Sequence, residues 1–161
     1  MIILGIDPGT SRTGFAIVKK NRGKAKALEY GCWEIVHKTT GQKLNRISAN
    51  LSKLIKQYKP DILVVEKIFF FKNAKTVMSI SEARGVILLA AEKKHLNVLE
   101  LTPLEVKQYL VGYGRLKKPQ IQKFVTMLLD LDSVPKPDDA ADALAICLAG
   151  ISKLDKLKKK Y

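Results

Sequence analysis

A chain of 161 residues carries 29 lysines and arginines against 15 aspartates and glutamates, a formal charge of +14 at pH 7; the length suits one domain with one core and leaves no room for a second of comparable size. Such an excess of positive charge favours polyanions, nucleic acid first, and no basic amphipathic helix with an aromatic face directs it to a membrane instead. Neither the cysteines, Cys32 and Cys147, nor the histidines, His37 and His95, have metal-ligand spacing, which argues against zinc and leaves the cysteines as packing residues.

Met1 runs straight into Ile2, Ile3 and Leu4 without a basic n-region or cleavage site, so the protein is expected to be cytoplasmic. Residues 2–7 (IILGID) read as a buried strand ended by the Pro8-Gly9 turn. A more polar strand over Gly14–Lys19 and a third over Leu28–Val36, joined through turn residues 21–23, make the opening an antiparallel meander. Leu44, Ile47, Leu51, Leu54 and Ile55 then recur at helical spacing, with polar residues opposite, in a helix that stops before Pro60. Residues 61–66 (DILVVE) form another short strand, and reaching it through a helix implies a parallel crossover.

A long helix over Ala74–Lys94 and a strand over Val98–Leu101 follow. Thr102, Pro103 and Glu105 have the pattern of an N-cap, a first-turn proline and the reciprocal capping glutamate. Gly112–Lys118 is a glycine-containing basic loop, Pro119–Leu129 a helix, and Pro137 or Asp138 opens a last helix running to about Leu154. The expected organisation is a mixed α/β domain over 1–154 and a short basic tail, 155–161, with no repeat or transmembrane span.

Asp7 and Glu66 each end an apolar strand, where α/β sheets place their sites. On the final helix Asp139 and Asp142 stand three apart and share a face, as do Asp138 and Asp142 at four apart. An acid at a strand end or in the first turn of a helix often has no role beyond solvent or the dipole. A chain short of acids has nevertheless placed several where they could meet, and carboxylates that close repel unless hard cations bridge them. Oxygen-only ligands suit Mg²⁺ or Mn²⁺, and two such ions about 4 Å apart serve phosphodiester hydrolysis.

In chain order, Gly5-Ile6-Asp7-Pro8-Gly9-Thr10 with Thr13-Gly14, Val65-Glu66 followed by Phe69 and Lys72-Asn73-Ala74, Ala83-Arg84-Gly85, Val106-Lys107-Gln108, Val111-Gly112 with Gly114, and Asp139-Ala140-Ala141-Asp142-Ala143-Leu144-Ala145 together resemble the RuvC family of Holliday junction resolvases across residues 1–150. The resemblance implies an RNase H-like fold with a mixed five-stranded sheet flanked by helices. It also implies a homodimer that makes paired nicks in four-way junction DNA during recombination and repair, with a RuvA-RuvB branch-migration complex as partner. It carries the acidic ligands of two Mg²⁺ ions, replaceable by Mn²⁺, onto Asp7, Glu66, Asp139 and Asp142, and basic DNA contacts onto Lys107 and Lys118. Lys67 and Asp138 depart from the family pattern, and the chain stops soon after the last helix.

Among Phe69, Phe70 and Phe71, a base-stacking wedge is expected at Phe69, with Phe70 next. Arg115 and Lys117 join the expected DNA contacts, because a basic loop can follow phosphates without reading bases, and Lys72 and Arg84, within segments that resemble the family, are expected DNA contacts as well. The terminal lysines 153, 156 and 158–160 form a frayed helix end rather than a site. The turn Gly5-Ile6-Asp7 with Gly9-Thr10 is also shared by actin-like ATPases, which need a second domain and a second phosphate loop. The nearer alternative is an RNase H-like nuclease that processes structured RNA; the phenylalanine-rich segment and the Asp139–Asp142 helix favour the resolvases.

Overall fold

The computed structural model describes residues 1–68, 74–112 and 116–158. Among these, β1 (Ile2–Asp7), β2 (Arg12–Asn21), β3 (Lys24–Glu34), β4 (Ile62–Glu66) and β5 (Asn97–Leu101) form one sheet in the order β3-β2-β1-β4-β5. The first three strands are an antiparallel meander, and β4 and β5 add in parallel beyond β1. This is the expected mixed five-stranded sheet. The helices are α1 (Thr40–Tyr58), α2 (Ala74–Glu92), α3 (Pro103–Val111), α4 (Lys118–Leu128) and α5 (Asp138–Lys158).

Several boundaries differ from expectation: β2 starts at Arg12, β3 ends at Glu34, and the last helix runs to Lys158 rather than about Leu154, its Lys153 paired with Glu105 instead of frayed. Two further differences have clear local reasons. The β2–β3 hairpin is zipped to its tip, with Asn21 opposite Lys24, because Arg22 and Gly23 both take positive φ (44° and 86°). Two consecutive positive φ values turn the chain with the hand that the strand twist requires, so the polar run Lys24–Ala27, expected outside the third strand, belongs to it. The long second helix stops at Glu92 rather than Lys94, where His95 turns left-handed at φ 51°.

Strand alternation divides the core in two. Leu4, Ile6, Ile17 and Leu63 pack against α1 and α2 through Ile47, Leu51, Leu54, Ala83 and Ile87, while Ile3, Ala16, Val18, Val64 and Leu101 face α3, α4 and α5. Each fully buried Ile or Leu contributes about 1.5–3 kcal/mol of transfer free energy. Helix α5 packs directly on β1 and β2, since Ala140, Ala141, Ala143, Ala145, Ala149 and Gly150 are small and buried. A Cβ added to Gly5 would come within 2.5 Å of the Ala143 carbonyl oxygen and Cys147 Sγ, and one on Gly14 within 2.0 Å of the Asp139 carbonyl oxygen. Cys147 is fully buried, its thiol donating toward the carbonyls of Ala16 and Ile3, and fills space as expected.

Candidate active site

Parallel pairing of β1 and β4 aligns Ile6 with Val65, so Asp7 and Glu66 stand next to each other at the carboxyl ends of neighbouring strands. Alternation from Ile3 and Val64 turns both toward the α5 face. They also sit at the carboxyl ends of two parallel neighbours, where α/β sheets form their sites. Gly14, beside Asp7 in register, lets the first turn of α5 rest on β2. That contact brings Asp139 and Asp142 over the strand ends. The adjoining Pro8-Gly9 turn is braced by Thr13 Oγ1, which donates to the Gly9 carbonyl at 2.5 Å.

The electrostatics are those of acids crowded together. Burial, reinforced by the charges of Asp142, Glu66 and Asp139, pushes the Asp7 carboxyl up to about 8. Burial and Asp142 raise Glu66 to about 7, with Lys107 pulling the other way. Asp142 is raised by burial against the opposing pull of Lys118. Burial disfavours the Lys118 ammonium, but its hydrogen bond to Asp142 at 2.7 Å and the charges of Asp142 and Asp138 outweigh that, and its pKa lies above the ordinary lysine value.

Each acid of α5 is engaged from its own flank. Asp142 takes Lys118 from α4, and Asp139 Oδ2 takes Arg12 Nη2 from β2 at 2.6 Å. Asp138 is exposed, 3.4 Å from Lys118 Nζ, and accepts from Gln122 Nε2 at 3.0 Å; Gln122 and then Lys118 hold its carboxyl below the usual range. Among the described residues no three acidic, histidine or cysteine side chains converge into a preformed metal cage, in keeping with two of the four carboxylates turning to flanking cations. The donor chemistry nonetheless suits a hard divalent cation: the set is all carboxylate oxygen, and the anions of Asp7 and Glu66 are disfavoured first by burial and then by their acidic neighbours, a penalty a bound cation would offset.

Asp7 and Glu66 line two adjoining cavities. One of about 480 Å³ is walled by Ile68, Val77, Ile80 and Leu104; the other, about 230 Å³, includes Lys107, Lys118 and Asp142. The structure therefore brings Lys107 and Lys118 to Asp7, Glu66 and Asp142. Lys118 is the first residue of α4 rather than part of the loop, and Lys117 is its exposed N-cap. Arg84 is not brought there. It pairs with Glu100 of β5, and since Leu99 and Leu101 face α5, Glu100 turns to the opposite face. Phe69, Phe70, Lys72 and Arg115 lie outside the described residues. Arg12 was not anticipated from sequence; its parity with Gly14 placed it on the α5 face, but only the packing of α5 shows what it meets.

A sequence model of the family described as crossover junction endodeoxyribonuclease RuvC matches residues 3–150. The curated crossover junction endodeoxyribonuclease RuvC of Dictyoglomus thermophilum is 46% identical over 159 residues, covering 95% of this chain and 98% of that protein; the one from Alkaliphilus metalliredigens is 47% identical over 149 residues, covering 92% and 91%. Among solved structures, Thermus thermophilus RuvC superposes with a TM-score of 0.89 at 29% identity, covering 97% of this chain and 96% of that one. The same protein in complex with Holliday junction substrate gives 0.87 at 26% identity, with the same coverage.

Proposed function

The chain belongs to the RuvC family of crossover junction endodeoxyribonucleases, and from that premise we propose that it resolves four-way DNA junctions by paired symmetric nicks, in recombination and repair. The observation that carries this reading is the Ile6–Val65 register, which sets Asp7 beside Glu66 beneath the first turn of α5 with its Asp139 and Asp142. These four carboxylates would hold Mg²⁺, two ions per site, with Mn²⁺ as a substitute. Bound ions would supply an activated water and stabilise charge on the departing oxygen. Hydrolysis then adds water across the P–O3′ bond and leaves a 5′-phosphate and a 3′-hydroxyl that can be religated.

The chain's own residues orient the strand. Lys107 and Lys118, in the smaller cavity with the acids, hold non-bridging oxygens of the scissile phosphate, while Lys117 and Arg115 follow the backbone onward. Phe69, or Phe70 after it, wedges between bases at the crossover, where they are easily unstacked. The working unit is a homodimer, because a four-way junction offers two equivalent strands to cut. Supply of junctions by a RuvA-RuvB complex in the cytoplasm completes the reading.

The test is cleavage of a synthetic four-way junction with Mg²⁺ or with chelator, beside linear duplex and RNA hairpins. Symmetric nicks confined to the junction and to the metal-containing reaction are expected. Preferential cutting of RNA hairpins, or an intact junction, would overturn the reading in favour of RNA processing or of binding without catalysis.

A further inference from the structure

On the α5 face, the ends of β4, β1, β2 and β3 present a row of polar side chains: Glu66, Asp7, then Arg12 around Gly14, then Cys32 and Glu34. Arg12 lies opposite Glu34 and Gly14 opposite Cys32 in the β2–β3 register, so Arg12 stands between the acidic site and the sheet edge. Its guanidinium reaches Asp139 from that edge, and Cys32 is a further neighbour that favours its charge. Its side chain is 47% exposed, and it makes no part of the hydrophobic core. Lys118 engages Asp142 from the opposite flank and lies in the cavity that Asp7 and Glu66 share. Arg12 does not line that cavity; its ion pair is with Asp139 alone among the described residues.

We infer that Arg12 is a positioning residue that holds the Asp139 carboxylate and, by competing for it, weakens the site's grip on its divalent ion. A fixed positive charge on a ligand oxygen opposes a second cation on the same carboxylate, and in a partly desolvated cleft that opposition is not fully screened. Cys32 and Glu34, opposite Gly14 and Arg12 on β3, lie near the guanidinium on the edge side and favour its charge. Arg12 thus makes metal loading conditional: Asp139 joins Asp7 and Glu66 when other contacts, such as a bound phosphate, favour the assembled site. The inference rests on Asp139 being an ion ligand, as proposed above.

The experiment titrates Mn²⁺ into the full-length protein without DNA, following free Mn²⁺ by electron paramagnetic resonance, for the parent, Arg12→Gln, Arg12→Lys and Asp139→Asn. Thermal melts in chelator verify that each variant is folded. Loss of the charge in Arg12→Gln is expected to tighten Mn²⁺ by roughly three- to thirtyfold, while Arg12→Lys, which keeps it, stays near the parent. Equal or weaker binding by a folded Arg12→Gln overturns the inference. Asp139→Asn separates the two claims: if it leaves Mn²⁺ affinity unchanged, the assignment of Asp139 fails, and if it weakens binding while Arg12→Gln does not tighten it, the role of Arg12 alone fails. Junction affinity in chelator is a further readout. A fall for Arg12→Gln without any gain in Mn²⁺ affinity would make Arg12 a phosphate contact instead.

Discussion

Replacing Asp7 by asparagine should make the metal-free protein more stable in alkali while destroying its nuclease activity. In the fold the Asp7 carboxyl titrates near 8, pushed up by burial and by Asp142, Glu66 and Asp139, whereas in the unfolded chain it returns to about 3.9. The folded state therefore binds the proton more tightly than the unfolded state, and the stability linked to this group is complete below about pH 4 and lost as pH rises through 8. At 1.36 kcal/mol per pKa unit the full shift corresponds to an upper limit of about 6 kcal/mol. Water in the cleft screens part of it, so about 2–3 kcal/mol is expected between parent and Asp7→Asn at pH 9. For a chain of this length that is roughly 5–10 °C in Tm. The assay is thermal denaturation of both proteins in chelator at pH 5, 7 and 9, with the difference taken at each pH so that titrations elsewhere cancel. Adding a divalent cation at pH 9 should raise the parent's Tm and leave the variant nearly unmoved. Parallel curves for the two proteins from pH 5 to 9 would refute the claim that Asp7 sits among unbalanced negative charge.

Glu66→Gln should abolish nicking and leave junction affinity in chelator at or above that of the parent, since phosphate contacts supply the affinity; gel-shift and cleavage assays falling together would refute this. Asp139→Asn and Asp142→Asn should each cripple metal-dependent cleavage, whereas Asp138→Asn costs at most about 1 kcal/mol and retains most activity; a dead Asp138 variant beside an active Asp139 variant in single-turnover assays would reverse the assignment. Gly14→Ala puts a Cβ 2.0 Å from the Asp139 carbonyl oxygen and should destabilise the protein by about 1–3 kcal/mol. It should also slow cleavage by on the order of a hundredfold by shifting the first turn of α5, and a variant that melts lower but cuts at the parental rate would show that this turn need not rest on β2.

What could be read in the sequence, and what could not, follows from the range of the interactions. Asp7 and Glu66 were legible because each closes an apolar strand, and the strand-helix-strand order implies a parallel crossover into β4; that β4 lands beside β1 rather than β3, setting the two acids side by side, is tertiary. The capping box at Thr102 and Glu105 is equally local, and both reciprocal hydrogen bonds form, at 3.1 and 2.8 Å. Helical spacing left Asp138 and Asp139 as alternative partners of Asp142. What distinguishes them is tertiary: Asp138 turns out to Gln122, while Asp139 is carried over β2 on the contact with Gly14 and meets Arg12. The same limit applies to the cations. Nothing local separates Lys118, which belongs to a helix and grips Asp142, from Lys117, which caps that helix in solvent, and nothing local pairs Arg84 with Glu100 across the other face. Acids declared themselves because their positions violate the hydrophobic pattern of strands, whereas in a chain with 29 lysines and arginines a basic residue violates nothing. The positive side of such a site is therefore visible only once the sheet register and the seat of α5 fix which cations the carboxylates can reach.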